Sequence, residues 1–328
     1  MQLDRVAVIG GGAWGTALAQ AAANAGRSVQ LVVRDVAQAD EMNQQHTNSR
    51  YLADQRLHEA IHAATDAAAA DFVILAVPAQ ASRAALGALD ADALIGRPVV
   101  LSAKGLETGT LQRQSEILQD MVPGAIPYVL SGPSFAADVA AGRPTAVTLA
   151  GDDAEHTSAL ASALAGPTFR PYAADDRIGV EIAGALKNVY ALACGAVEGA
   201  QLGASARSAL IARAYAEMAR MVSAMGGSAH TLTGLAGLGD LTLTCTSVQS
   251  RNYQFGMALG RGQSVEAIMA GGAKLAEGVA TTPVADALAR SLQVDAPLIA
   301  AVHAVLSGRA DIATIVAGLM TRPLKRED

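Results

Sequence analysis

Apolar positions follow two successive regimes along this chain. Through the first half, short apolar runs of strand length alternate with stretches of helical period. Strands are read at residues 6–9, 29–33, 61–64, 72–77, 99–102, 128–130, 146–149 and 169–172. Pro78 ends the fourth strand. Residues 47–57 carry no clean period and read as a loop, and the Ala tract 67–70 reads as helical. Strands alternating with helices predict a mostly parallel sheet covered on both faces. From about Asp175 the alternation stops. Helical periods then run through 177–199, 205–225, 252–259, 283–292, 297–306 and 311–320, broken by Gly and Pro. The pattern predicts an α/β domain over 1–174 and an all-α domain over 175–328.

The first strand leads directly into Gly10-Gly11-Gly12-Ala13-Trp14-Gly15, and an Ala-rich helix follows and stops at Gly26. A G-x-G-x-x-G turn between a strand and a helix is the dinucleotide-binding fingerprint in its proper setting, which makes the first domain Rossmann-type. Gly10 permits the tight turn. Gly12 lets the backbone approach a pyrophosphate, and Gly15 lets the helix pack closely. The helix N-terminus offers free N–H groups to the phosphates. At the end of the second strand stand Arg34 and Asp35. An acidic residue there suits a ribose diol, and an arginine suits a 2′-phosphate. Asp35 equally suits the cap of a helix starting near Val36. Neighbours on a strand end face opposite sides, so one of the two faces the ribose.

Composition narrows the function further. The chain has 328 residues, enough for two cores, and with only 3% aromatic residues those cores are aliphatic and Ala-filled. A net charge of -6 excludes a general nucleic-acid surface. No apolar run approaches the length of a membrane span, and the first strand begins too early for a signal peptide. Cys194 and Cys245 make no disulfide framework, and no His/Cys cluster has metal spacing, so a reduced, cytoplasmic, metal-free protein is expected.

Only four of the 24 basic residues are lysine: Lys104, Lys187, Lys274 and Lys325. A lysine retained in an Arg-rich chain is a candidate for work that needs a removable proton. Lys187 stands on the apolar stretch 177–199, in a spacing-four row with Gly179, Ala183, Ala191, Gly195 and Gly199. Small residues there admit another backbone or a ligand. The amine of Lys187 must either snorkel to solvent or be paired in the interior. Asn188 points elsewhere and suits holding a loop or a nicotinamide amide. Lys104 follows a strand at its carboxyl end, where ligands of open α/β sheets collect. Ser131-Gly132-Pro133-Ser134 follows another such strand. Gly234, Gly237 and Gly239 surround Asp240 and read as a flexible segment presenting one carboxylate. Ser250-Arg251-Asn252 opens a helix with a hydroxyl, a guanidinium and an amide, a set suited to phosphate.

These stretches together resemble the bacterial NAD(P)-dependent sn-glycerol-3-phosphate dehydrogenases nearly end to end. The matching runs are 10–19, 103–107, 130–136, 184–188, 234–245, 250–252 and 275–278. The resemblance implies proton transfer by Lys187, with Lys104 and Asp240 in the catalytic group. It implies substrate contacts from Lys104, Gly132, Ser134, Lys187, Asp240, Ser250, Arg251 and Asn252. Cofactor contacts are implied for Trp14, Arg34, Tyr51, Lys104, Ala136, Arg251, Leu275 and Glu277, beside the Gly10, Gly12, Ala13 and Gly15 turn. It further implies a cytoplasmic homodimer with a small phosphorylated substrate, supplying glycerol 3-phosphate for phospholipid synthesis. Arg34 leads to the expectation that both NAD and NADP are used, with NADP(H) preferred. A β-hydroxyacid dehydrogenase acting on a small hydroxy acid and a non-enzymatic dinucleotide sensor remain as alternatives.

Overall fold

The computed structural model describes residues 2–272, 276–323 and 326. Eight strands form one sheet: β1 Arg5–Ile9, β2 Ser28–Val32, β3 Ile61–Ala64, β4 Phe72–Leu75, β5 Pro98–Leu101, β6 Ile126–Ser131, β7 Thr145–Ala150 and β8 Phe169–Ala174. Their order in space is β3-β2-β1-β4-β5-β6-β7-β8. The helices are α1 Ala13–Asn24, α2 Val36–Gln45, α3 Ser49–Leu52, α4 Ser82–Gly87, α5 Gln114–Met121, α6 Ala136–Ala140, α7 Ala154–Leu164, α8 Arg177–Gly199, α9 Ala204–Ala224, α10 Asp240–Thr246, α11 Arg251–Gly260, α12 Val265–Ala270, α13 Glu277–Ser291, α14 Pro297–Leu306 and α15 Ile312–Met320. The α/β, Rossmann-type architecture followed by helices is as the sequence predicts.

The central strands β1, β4, β5 and β6 are parallel, and nearly every side chain on them is buried. This is why they read as continuous apolar runs rather than as alternation. The strand order reverses beside β1, so the turns after β1, β4, β5 and β6 open at one edge of the sheet, where such folds bind ligands. Two strands depart from the common direction, β7 and β8, which are parallel to each other. β7 runs antiparallel to β6, because only the five-residue α6 stands between them in place of a full crossover helix.

The helical half is built on α8. The C-terminal part of its row of small residues, Gly195 and Gly199, meets the backbone of α11. A Cβ at Gly256 would crowd the carbonyl of Leu192, and one at Gly195 would crowd that of Tyr253, so α8 and α11 pack with their main chains almost touching. By length and apolarity α8 could cross a membrane, contrary to the expectation that no segment approaches this, but 83% of its apolar window is buried within the protein.

Other departures from the sequence reading have local causes. The fourth strand ends at Leu75, ahead of Pro78, as the chain turns away after Ala76 donates its last ladder bond to Ile9. The tract 67–70 is not helical; it is a short extended link held by Gln30, whose side chain accepts from the Ala68 N–H at 2.7 Å. Helix α13 begins at Glu277 rather than near Pro283, which it carries in its interior. The Gly-rich segment before Asp240 is not a loose loop. It winds as a helical turn, Leu235–Gly239, that runs straight into α10. Gly237 fits because a Cβ there would strike the backbone of Leu232.

The start of α14 is capped from a distance. Pro297 at its first turn has no N–H to offer, and the N–H groups of Leu298 and Ile299 donate to the buried carboxylate of Glu217 on α9, both at 2.9 Å. Replacing Glu217 by Leu keeps the volume but strands two buried donors. Glu217→Leu is therefore expected to lower folding stability by about 2–3 kcal/mol in urea titration, with an unchanged slope. An unchanged unfolding midpoint would remove this cap from the account of how α14 is held.

Candidate active site

Four segments converge at the carboxyl edge of the sheet. The turn after β5 brings Lys104, and the turn after β6 brings Gly132 and Ser134. Helix α8 brings Lys187 and Asn188, and α10 brings Asp240 and Thr244. Asp240 is completely buried, and Lys187 is 7% exposed. The amine of Lys187 donates to Asp240 Oδ1 and to Thr244 Oγ1, the latter at 2.9 Å. Lys104 donates to Asp240 Oδ2 at 2.7 Å and to the carbonyl of Gly132 at 3.0 Å. One buried carboxylate thus accepts from both lysines at once. The Thr244 hydroxyl donates to the same carboxylate at 3.2 Å.

The electrostatics follow from this arrangement. Burial lowers the affinity of Lys187 for its proton. The Asp240 charge opposes that effect and the Lys104 charge adds to it, and the balance leaves the Lys187 pKa at about 8. Burial alone would raise Asp240, but the charges of Lys104 and Lys187 outweigh it and hold the carboxyl below its ordinary range. A lysine near 8 carries a proton that it can lose and regain at physiological pH, which Arg cannot do.

Thr244 carried no role in the sequence reading. Its position four residues after Asp240 on one helix face was the available signal. Asn188 holds a loop, donating to the carbonyl of Lys104 at 2.9 Å. Asn252 on α11 donates to Asn188 at 2.9 Å and accepts from the N–H of Gly278 at 2.9 Å, which ties α8, α11 and α13 together beside the lysines. Ser250 caps α11 by accepting from Tyr253 N. Arg251, the first residue of α11, is exposed. Ser134 donates to the Gly132 carbonyl at 2.9 Å.

The glycine turn after β1 has the features a dinucleotide requires. Gly10 takes φ +116°, and a Cβ there would lie 2.8 Å from the Ala76 carbonyl oxygen. A Cβ on Gly15 would run into the Gly10 carbonyl, whereas Gly12 faces open space. Helix α1 begins at Ala13 with no side-chain cap, so its first N–H groups are available to an anion. The indole Nε1 of Trp14 is buried without a partner. These are the uncompensated donors that a bound pyrophosphate-containing group would satisfy, and the residues fit one. Asp35 caps α2 by accepting from Ala37 N at 3.0 Å, while Arg34 beside it is exposed. Tyr51 is exposed on α3, with the Arg50 guanidinium 5.4 Å from its ring centre. Ala136 starts α6. Glu277 starts α13 and accepts from Ala79 N at 3.3 Å; burial raises its pKa, against the charges of Arg251 and the two lysines. Leu275 lies outside the described residues. Among the described residues no cluster of His, Cys, Asp or Glu could hold a metal.

The chain is similar to known proteins over nearly its whole length. Residues 5–157 match the family model of the NAD-dependent glycerol-3-phosphate dehydrogenase N-terminus, and residues 176–317 match that of its C-terminus. A Caulobacter vibrioides protein named glycerol-3-phosphate dehydrogenase, NAD(P)+, is 47% identical over the whole of both chains. A protein of the same name from Rhodopseudomonas palustris is 48% identical over 99% of each. Among solved structures, the glycerol-3-phosphate dehydrogenase of Coxiella burnetii superimposes with a TM-score of 0.89 at 37% identity, covering 98% of this chain and 99% of that one.

The shared carboxylate predicts how Lys187 titrates. Lysine NMR is expected to find one amine titrating near 8. In Asp240→Asn that amine should titrate lower still, because the charge that supports its ammonium is gone while burial remains. A value in Asp240→Asn equal to or above the wild-type one would show that Asp240 does not set the Lys187 proton affinity.

Proposed function

The chain belongs to the NAD-dependent glycerol-3-phosphate dehydrogenase family, and we propose on that premise that it interconverts sn-glycerol 3-phosphate and dihydroxyacetone phosphate with NAD(P)(H). The observation that carries the proposal is the pairing of Lys187 and Lys104 on one buried carboxylate. A protein that only sensed a dinucleotide would have no use for two lysines held this way.

The dinucleotide supplies a hydride to C2 of the ketone when bound, or takes one from the alcohol. The residues for holding it are the Gly10, Gly12, Ala13, Trp14 and Gly15 turn with Arg34, Tyr51, Ala136 and Glu277. Lys187 as an ammonium gives its proton to the oxygen on C2 as that oxygen gains charge, and becomes an amine that solvent reprotonates. In the reverse direction the amine takes the hydroxyl proton. Lys104 stays charged and stabilises the developing alkoxide. Asp240 aims both amines, and Thr244 fixes the Lys187 rotamer. Arg251, exposed at the start of α11, takes the substrate phosphate. The hydroxyls of Ser250 and Ser134 and the amide of Asn252 complete the phosphate-binding group. Fixing the phosphate holds C2 in position for transfer.

Two consequences are proposed beyond the reaction itself. NADP(H) is preferred, because Asp35 is turned into its own helix cap and leaves Arg34 for the 2′-phosphate. By family resemblance the protein works in the cytoplasm as a homodimer that feeds phospholipid synthesis; both cysteines are free thiols, in keeping with a reducing compartment.

Absorbance assays are expected to record NADPH loss with dihydroxyacetone phosphate. 3-Hydroxyisobutyrate and 6-phosphogluconate should not support reduction of NADP+. With a Lys187 pKa of about 8, ketone reduction needs the ammonium and its kcat should fall as pH rises through that value, while alcohol oxidation should rise. Lys187→Met and Lys187→Arg should both lose kcat by a factor on the order of 10²–10⁴, since neither side chain can cycle a proton. Near-normal kcat in Lys187→Arg would reduce Lys187 to an electrostatic role.

Cofactor choice is tested separately. Arg34→Ala should raise KM for NADPH roughly ten-fold or more and leave NADH nearly unchanged, the scale of one lost charge-assisted contact. A wild-type preference for NADH would overturn the assignment of Arg34 to the 2′-phosphate.

A further inference from the structure

Lys104 stands on a strap that leaves β5 and crosses the carboxyl edge of the sheet before α5 begins. Among the described residues the backbone carbonyls of Lys104, Gly105 and Leu106 have no backbone partner. Each accepts an N–H from the side-chain amide of a different element. Asn188 on α8 donates to Lys104 at 2.9 Å, Gln114 at the start of α5 donates to Gly105 at 3.0 Å, and Gln80 in the turn after β4 donates to Leu106 at 2.7 Å.

Every one of these amides is also held at its other end. Gln114 accepts from Ser82 Oγ at 2.5 Å, and Gln80 accepts from the Thr108 N–H at 2.9 Å. Asn188 accepts from Asn252 at 2.9 Å. Flipping any of these amides would set its oxygen against a backbone carbonyl, acceptor against acceptor, so each orientation is fixed. The strap is also tight sterically. A Cβ on Gly105 would lie 2.9 Å from Ala79 Cβ and 3.0 Å from Thr281 Oγ1.

A lysine carries its charge on a long flexible stem, and its reach is only as fixed as its backbone. The three amides fix that backbone where the amine meets the Gly132 carbonyl and Asp240. We propose that Gln114 and Gln80 are positioning residues for the reaction, which hold the Lys104 strap so that its amine stays at the site. This rests on the role given to Lys104 above.

The test is a set of double-mutant cycles on the full-length protein, with Gln114→Leu and Gln80→Leu each made in wild type and in Lys104→Ala. Gln114 is buried and its variant is expected to lose stability, whereas Gln80 is on the exposed side and keeps the test open. Three readouts are taken: kcat and KM for ketone reduction, the thermal midpoint, and the rate at which acetic anhydride modifies Lys104 in the protein alone, followed by mass spectrometry. In wild type each amide variant should lower kcat about ten-fold with KM for NADPH within about two-fold, and Lys104 should be modified several-fold faster. In Lys104→Ala the same substitutions should change kcat by less than about two-fold, although they cost as much stability. Equal losses of kcat in both backgrounds, or an unchanged modification rate, would overturn the proposal. If Lys104→Ala alone keeps wild-type kcat, the catalytic role of Lys104 fails, and the modification rate still decides whether the amides hold its amine.

Discussion

One buried carboxylate organises the functional half of this molecule. Asp240 is fully enclosed, and an isolated charge there would cost several kcal/mol in lost hydration. Two ammonium groups offset that cost, and each needs the carboxylate in turn. Lys187 leaves a helix that is apolar on nearly every face and among the described residues forms an ion pair with Asp240 alone, and Lys104 arrives from the far side on the strap after β5. The three segments can be satisfied only together, so the ion triad fixes how α10 and the β5 strap meet on α8. Two ammonium groups share this one carboxylate. The same shortage of anions, with burial, brings Lys187 down to a pKa of about 8.

The rest of the architecture delivers groups to that point. The reversal of strand order beside β1 places the ends of β1, β4, β5 and β6 along one edge. The glycine turn, the Lys104 strap and the Gly132 turn therefore lie side by side without long connections. Glycines on α8 and α11 let those helices approach until main chain meets main chain. That closeness puts Asn252 within hydrogen-bond distance of Asn188 and sets the start of α11, with Ser250 and Arg251, beside the lysines. A larger residue at Gly195 or Gly256 would push α11, and with it Asn252, away from α8.

Much of this was legible from local order along the chain. The eight strands stand within about two residues of where apolar runs placed them, because a strand buried on both faces must be apolar throughout. The glycine fingerprint was readable since Gly10 and Gly15 answer steric demands of their own turn and Gly12 leaves the space before α1 open. Lys187 stood out as a lysine on an otherwise apolar helix in an Arg-rich chain. The segment before Asp240 misled because glycines lower helix propensity on average, and only contact with Leu232 makes them necessary to a tight helical turn. The sheet is mostly parallel as expected, and β7 and β8 run the other way because strand direction depends on what crosses over, and α6 is too short to do so.

The sequence by itself determined the elements, their order, the dinucleotide turn and the residue types able to move a proton. These follow from periods of two and 3.6 residues and from chemistry confined to a few neighbours. Tertiary structure decided which of those residues meet. It gave one carboxylate to two lysines, brought in Thr244, turned Asp35 onto its own helix and left Arg34 outward, and assigned three amides to the Lys104 strap. Pairings of this kind join residues up to 136 positions apart, as Lys104 and Asp240 are. No local period encodes such a distance. It is set by how helices and sheet pack, and by the cost of leaving any buried charge or amide without a partner.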